Sequence, residues 1–176
     1  MKRLLPLLVA CLALASVVAV PGAGAKSSTT YSAADAQYVK TSIAGDMFEI
    51  TGGKLAKAKS HNPAVMRLAN RLITDHAKSL SDAEKLARSL GIDVPKSPLP
   101  SQVWELNMVA SLHGQAFNHW YSSLEVLDHV QDISEATDEV NDGTNAKVRD
   151  DARTELPMLH MHLKLAREAL LANRHA

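Results

Sequence analysis

Histidine is the residue type in this chain that could do metal chemistry, and near the C-terminus His160 and His162 are separated by a single residue. Imidazole binds zinc, copper, iron and nickel without help from thiolates. Thiolates are scarce here, because Cys11 is the only cysteine. Residues two apart on a helix point about 200° away from each other, so this pair cannot bind one metal together. A histidine site therefore needs imidazoles from different helices.

The spacing around the histidines excludes one well-known type of metal centre. Helical bundles that hold two iron ions use a Glu-x-x-His pair on each of two helices, because a spacing of three places both side chains on one face. The residues three positions before the eight histidines are, in chain order, Ala58, Ile73, Ala110, Ala116, Val126, Pro157, Leu159 and Ala172. None is acidic, so the sequence favours a mononuclear site with one side chain from each helix.

The elements that must position these side chains are helices, because four segments have helical periodicity and none alternates like a strand. The first predicted helix opens at Ser32, whose side chain forms a capping box with Asp35, and it runs to about Ala56. The second opens with Asn62 as its cap and ends at Gly91. Gly and Asn at these positions are typical of helix ends.

Two further helices complete the predicted fold. The third is expected from Ser101 to about Val140, after a proline-rich loop, and residues 141–146 form the last turn. In the fourth, leucines spaced by three and four between Leu156 and Leu170 form a seam typical of bundles. Short connections favour antiparallel neighbours. The sequence therefore predicts an all-α fold, an up-down antiparallel four-helix bundle.

Antiparallel pairing estimates which polar residues of the first two helices share a level. Pairing about residue 60 places Glu49 within about 8 Å of His76 along the axis. An interhelical hydrogen bond between these two side chains would explain them without any metal. Gly52 and Gly53 lie inside the first helix, which they weaken. We expect them to allow a neighbouring helix to approach closely.

The same estimate applies to the other two helices. Pairing about residue 143 places His162 opposite residue 124 of the third helix, and looser pairing of the second and third helices points to residue 116. The residue of the third helix at the same level as His76 and His162 is then His119 or Tyr121. His129 lies about 12 Å beyond Tyr121 along the axis, so simple register disfavours it.

Several segments together resemble a known protein family. They are FEITGGKLA, LITDHAK, AFNHWY, VLDHV and ELPMLHMHLKLA. They are similar to the motifs of an exported bacterial family catalogued as domain of unknown function 4142, over residues 35–171. The resemblance implies a ferritin-like bundle and brings no established activity. The polar positions of the family pattern fall on Glu49, His76, His129 and His162. Asn118 stands where the family usually has an aspartate, so no role for that carboxylate carries over.

The N-terminal segment predicts export. Residues 1–25 have a basic start at Lys2 and Arg3, an apolar run and a small-residue cleavage site, the three parts of a secretory signal. We predict a periplasmic or secreted protein with no stable membrane span after cleavage. Residues 26–34 are expected to form a short tail and residues 35–173 a single ferritin-like domain.

Charge and motifs limit the function classes. The chain has 19 basic and 19 acidic residues, and loss of the signal leaves a small negative charge, which argues against nucleic-acid binding. Our first hypothesis is a bundle that binds a divalent transition metal or a small ligand between its helices, through Glu49, His76, His162 and also His129. The alternative is a non-catalytic structural or interaction module of the envelope, whose buried polar residues fix helix register. No catalytic motif favours an enzyme, and a homo-oligomer is compatible with either hypothesis.

Overall fold

The computed structural model describes residues 30–174, and the predicted signal, residues 1–25, lies outside them. Within this range the chain forms five helices and no strand, which confirms the all-α prediction. The helices are α1 (Ala33–Lys59), α2 (Pro63–Leu90), α3 (Pro100–Ala110), α4 (Gly114–Asp142) and α5 (Ala146–Ala172). No helix in the described range is both long and apolar enough to cross a membrane.

The ends of α1 and α2 follow the local signals in the sequence. Ser32 accepts a hydrogen bond from the Asp35 amide at 3.0 Å, while the Asp35 carboxylate accepts one from the Ser32 amide at 2.6 Å. This capping box satisfies two amides that have no partner within the helix. The Asn62 side chain caps α2 by accepting from the Ala64 amide at 2.9 Å. Gly91 ends α2 with a φ of 71°, a left-handed conformation that favours glycine.

The predicted third helix is wrong, because the structure divides Ser101–Val140 between two helices. α3 begins at Pro100, which lacks an amide hydrogen and suits the first helical position, with Leu99 rather than Ser101 as the preceding cap residue. A short break after Ala110 separates α3 from α4. Gly114 opens α4 with a φ of 56°, so the chain changes direction there. The fold therefore contains four long helices and a short one.

The four long helices enclose a common interior. α1 packs on α2 and α4 packs on α5, while contacts from α2 to α5 and from α1 to α4 close the arrangement. Gly52 and Gly53 of α1 allow this close packing, as predicted. A Cβ atom at Gly53 would lie only 2.8 Å from Ile73 Cγ1 of α2, and one at Gly52 would lie 3.3 Å from Glu125 Oε1 of α4.

The interior contains two apolar clusters at different heights. The proximal apolar cluster consists of Tyr38, Val39, Ile43, Ala83, Ala87, Ile92, Ala136, Val148, Ala152 and Leu159. The distal apolar cluster consists of Ala56, Val65, Leu68, Ala69, Leu72, Val109, Phe117, Tyr121, Ala166 and Ala169. Along every long helix, buried polar residues lie between its members of the two clusters. One of them from each helix makes up the polar layer, which consists of Glu49, His76, His129 and His162. Apolar packing on both sides therefore shields the polar layer from solvent.

Candidate metal centre

Three imidazoles from three different helices meet in the polar layer. His76 of α2, His129 of α4 and His162 of α5 form the histidine cluster, and their exposed fractions are 3%, 0% and 0%. The ring centroids are 5.9 Å apart for His76 and His129, 5.0 Å for His76 and His162, and 5.3 Å for His129 and His162. One nitrogen of each ring lies within 4.8 Å of the others. This spacing is close enough for one metal ion to gather all three.

Each ring of the histidine cluster is held through one nitrogen by an acceptor outside the cluster. His76 Nδ1 lies 2.7 Å from Asp46 Oδ1, and His162 Nε2 lies 2.9 Å from Asp75 Oδ2. His129 Nδ1 lies 2.8 Å from the main-chain oxygen of Glu125. The main-chain oxygen of Glu125 only accepts, so the His129 Nδ1–H donates to it. An imidazole N–H donates in the same way to an ionised carboxylate, which is the arrangement we assign to Asp75 and Asp46, while burial raises the pKa of Asp46 well above its usual range. These bonds fix the orientation and the tautomer of the rings, as outer partners do for metal-binding histidines.

The other nitrogen of each ring has no hydrogen-bond partner among residues 30–174. These atoms are His76 Nε2, His129 Nε2 and His162 Nδ1. Because the proton of each neutral ring is on the tethered nitrogen, the free nitrogen has a lone pair. Three lone pairs cannot hydrogen-bond to one another. The cluster therefore presents acceptors to a buried space and no donor to satisfy them.

Burial keeps these imidazoles neutral. It lowers the pKa of His76 to about 4. Burial, followed by the charges of neighbouring imidazoles, lowers the pKa of His129 to about 3 and that of His162 to about 4. Protonation therefore cannot satisfy the free nitrogens at neutral pH. Neutral imidazole is the form that binds a metal.

Three carboxyl groups adjoin the histidines and form the carboxylate cluster, Glu49 of α1 with Glu125 and Asp128 of α4. Glu49 Oε1 lies 3.7 Å from His129 Nδ1, and Glu125 Oε2 lies 4.0 Å from the same nitrogen. One oxygen each of Glu49 and Asp128 lies within 4.8 Å of a His129 nitrogen. Burial and the neighbouring carboxylates raise the pKa of Glu49, and burial raises that of Glu125 to about 8. The cluster is thus costly to ionise without a cation.

The structure brings together three of the four predicted site residues as nitrogen donors and places Glu49 beside His129. Register wrongly disfavoured His129, because α3 and the break after it alter the path between α2 and α4. His119, one of the two residues that register selected, instead has Nδ1 3.2 Å from the main-chain oxygen of Asn173. Tyr121, the other, is part of the distal apolar cluster. His160 is exposed, as expected from its spacing to His162.

The interhelical hydrogen bond that could explain His76 without a metal is made by Asp46 and not by Glu49. Asp46 precedes Glu49 by three residues and so shares its face of α1. That spacing was the available signal for a second buried acid. Asp75 directly precedes His76 but bonds to His162 of α5. Adjacent residues on a helix point in different directions, so this pair serves two rings.

A small cavity of about 30 Å³ reaches the histidine cluster from the side of the proximal apolar cluster. Its polar lining includes Asp46, Asp132 and Glu155 together with His76. Glu155 accepts hydrogen bonds from the Tyr38 hydroxyl at 3.1 Å and from the Ser79 hydroxyl. Burial raises the pKa of Glu155 to about 7. Burial also raises the pKa of Asp46 and that of Asp132.

The fold and this site define a class, an all-helical bundle with a buried cluster of three oriented, neutral imidazoles. The chain belongs to the family described as Domain of unknown function (DUF4142), whose sequence model matches residues 20–169. This match confirms the resemblance seen in the motifs.

Comparison with solved structures supports the helical architecture. The chain is similar to the crystal structure of a DUF305 fragment from Deinococcus radiodurans, with a TM-score of 0.70 and 11% sequence identity. The similarity covers 80% of this chain and 97% of that one. At this identity it shows a common helical fold and nothing about function. No curated protein matches the chain.

Proposed function

We propose that this protein is an exported helical bundle that binds one divalent transition-metal ion through His76, His129 and His162. Export rests on the order of basic, apolar and small residues at the N-terminus. In this proposal the four long helices run up and down in turn. The contact between Asp46 and His76 supports this for α1 and α2, since both residues are equally far from His61 in the connection.

Two observations carry the proposal: one nitrogen of each of the three rings lies within 4.8 Å of the others, and one nitrogen of each ring has no hydrogen-bond partner among the described residues. Each buried polar atom left without a partner costs about 1–3 kcal/mol. Rotation of a ring would move its N–H away from Asp46, Asp75 or the Glu125 carbonyl, so the tethers oppose that remedy. A metal ion accepts all three lone pairs at once. The arrangement of donors therefore fits a cation better than it fits a closed hydrogen-bond network.

The donor type selects the class of metal. Three imidazoles suit zinc, copper, nickel or iron rather than magnesium or calcium, which prefer oxygen ligands. Three protein ligands leave a coordination position open in a tetrahedral site. Glu49 approaches His129 from the side of Nδ1, the nitrogen that is already bonded to the Glu125 carbonyl. We therefore place Glu49 beside the metal site and outside its three-nitrogen set.

Zinc titration of the chelator-treated mature protein, without an affinity tag, tests the proposal. Calorimetry should find one zinc ion per chain in the wild type. His76→Asn, His129→Asn and His162→Asn should each abolish tight binding, since each removes one of three ligands. His160→Asn is the matched control, because His160 lies two residues from His162 and is exposed. It should bind zinc like the wild type.

The alternative, in which the histidines only fix helix register, gives a different result. It is favoured by the bonds from His76 to α1 and from His162 to α2, which join separate helices. If the histidines only fix helix register, the three substitutions lower the melting temperature by the same amount with and without zinc. If they bind zinc, zinc raises the melting temperature of the wild type and not that of the three variants. Wild-type affinity for zinc, copper and iron weaker than about 100 μM, near about −5.5 kcal/mol, would exclude metal binding.

A further inference from the structure

The carboxylate cluster is not explained by a metal on the histidines. Glu49 is 0% exposed and Glu125 is 1% exposed. Within the part of the chain that the structure describes, both Glu49 oxygens, Glu125 Oε2 and Asp128 Oδ2 have no hydrogen-bond partner. Three ionised carboxylates this close repel one another, and burial removes the water that would screen them. The cluster needs either protons or a cation to be stable.

The surroundings of the cluster leave room for these carboxyl groups. Gly52 of α1 faces Glu125, and a Cβ atom there would lie 3.3 Å from Glu125 Oε1 and 3.6 Å from Tyr121 Cε2. The absence of a side chain at Gly52 therefore leaves room for both groups. The buried Tyr121 hydroxyl lies next to Glu125 and has no partner of ordinary hydrogen-bond geometry among the described residues. Burial, then the charges of Glu125 and Glu49, raise its pKa, so this phenol faces the cluster as a neutral oxygen.

We infer that Glu49, Glu125 and Asp128 form a second cation site, which takes a hard divalent ion such as Mn²⁺ or Mg²⁺. Its donors are oxygens, which these ions prefer, whereas the first site offers only nitrogens. Convergence of Glu49 and Asp128 within 4.8 Å of each other and of a His129 nitrogen supports it geometrically. His129 stands between the two sites. The inference goes beyond the proposed function, because it uses other donor atoms and another class of metal.

Manganese binding to the zinc-saturated mature protein tests this inference. Free Mn²⁺ has a strong electron paramagnetic resonance signal that weakens on binding, so a titration counts bound ions. The wild type should remove one Mn²⁺ per chain, and excess Mg²⁺ should release it. Glu49→Gln and Glu125→Gln should weaken binding at least tenfold, since each removes a charged ligand. Asp150→Asn, whose side chain is 72% exposed in the wild type, is the control and should not.

Two further variants make the result decisive. Gly52→Ala keeps every ligand but adds a methyl group next to Glu125, so it should also weaken Mn²⁺ binding. His162→Asn should retain Mn²⁺ binding while it loses zinc, which separates failure of this inference from failure of the proposed function. Circular dichroism must show that each variant is folded.

Three results would overturn the inference. Wild-type protein that binds no Mn²⁺ at submillimolar concentration at pH 7.5 would show a cluster satisfied by protons. Mn²⁺ bound equally well by Gly52→Ala and Glu125→Gln would show surface binding. Loss of Mn²⁺ in His162→Asn together with unchanged binding in the folded glutamate variants would place the ion on the histidines.

Discussion

The histidine cluster and the carboxylate cluster are neighbours in one interior, yet their polar atoms are satisfied in different ways. Each imidazole donates one hydrogen bond outward, to Asp46, Asp75 or the Glu125 carbonyl. Glu49 has no hydrogen bond at either oxygen. Outward tethers determine where the free nitrogen points, whereas untethered carboxylates can rearrange around an ion. The histidine cluster therefore selects an ion by its coordination geometry, and the carboxylate cluster selects an ion mainly by its charge.

Burial acts on both clusters with opposite effect on the pKa. It disfavours the charged form of any side chain, so it lowers the pKa of an imidazole and raises that of a carboxyl group. The pKa of His129 falls to about 3 while that of Glu125 rises to about 8. In the metal-free protein both shifts favour a neutral interior. A bound metal ion would favour the charged form of the carboxylates, and it would require the imidazoles to stay neutral.

The largest expected effect is on the pH dependence of stability in metal-free protein. His162 has a folded pKa of about 4 against an ordinary 6.5, so its stabilisation is present above pH 6.5 and is lost as the pH falls towards 4. Glu125 has a folded pKa of about 8 against 4.5, so its stabilisation is present below pH 4.5 and is lost as the pH rises through 8. The two clusters should therefore give slopes of opposite sign.

Urea denaturation of two variants measures these slopes. The unfolding free energy of the wild type falls between pH 6.5 and 4.5, and His162→Asn should make this fall about 2 kcal/mol smaller. Glu125→Gln should remove about 1.5 kcal/mol of the loss between pH 6.5 and 8. Wild type and His160→Asn are the references. If both substitutions reduce the change of unfolding free energy in the same pH range, the contrast between the clusters is wrong.

The sequence predicted the helix ends because their causes are local. Ser32 with Asp35, Asn62 and Gly91 act on atoms within a few residues of themselves, and the structure confirms all three ends. The break between α3 and α4 was missed, although Gly114 lies beside it. A glycine inside a periodic segment is also compatible with a continuous helix, as Gly52 shows in α1. Only the packing of the chain decides between these outcomes.

The candidate site was predicted in part because it depends on how helices slide past one another. Glu49, His76 and His162 were placed at one level from short connections, and the structure brings His76 and His162 together and places Glu49 beside His129. His129 was misplaced because the segment between α2 and α4 has no simple midpoint. Asp46 was missed because it is one turn from Glu49. A shift of one turn, about 5 Å, is smaller than the uncertainty of register estimated from loops.

A smaller effect, on zinc affinity, should distinguish the groups that hydrogen-bond to the histidines from the carboxylates that only lie near them. Asp46→Asn leaves all three ligands in place but weakens the acceptor of the His76 N–H. Loss of such an outer partner costs about 10- to 100-fold in metal affinity. Competition with a chelating dye should therefore show weaker zinc binding. Glu125→Gln should change zinc affinity by less than about threefold, because its carbonyl rather than its side chain holds His129.

Equal losses of zinc affinity in Asp46→Asn and Glu125→Gln would contradict this distinction. Such a result would indicate that zinc depends on the total negative charge nearby and not on the orientation of the rings. Asp46→Asn must be compared with the wild type at the same ionic strength, because long-range charge effects weaken as salt increases.

The smallest expected effect concerns the outermost part of the histidine tether. Arg71 Nε lies 2.5 Å from Asp75 Oδ2, the oxygen that also accepts from His162. The Arg71 side chain is 52% exposed, and an exposed ion pair contributes about 0–1 kcal/mol. Arg71→Ala should therefore weaken zinc binding by less than about fivefold, and by still less at high salt. Arg67→Ala removes a similar exposed pair with Glu168, at 3.6 Å, and should leave zinc affinity unchanged. Arg71→Ala could instead lower zinc affinity as much as Asp46→Asn does, and by the same factor at low and high salt. That result would mean that solvent does not screen the Arg71 pair. It would also mean that the orientation of His162 depends on the arginine as much as on the aspartate.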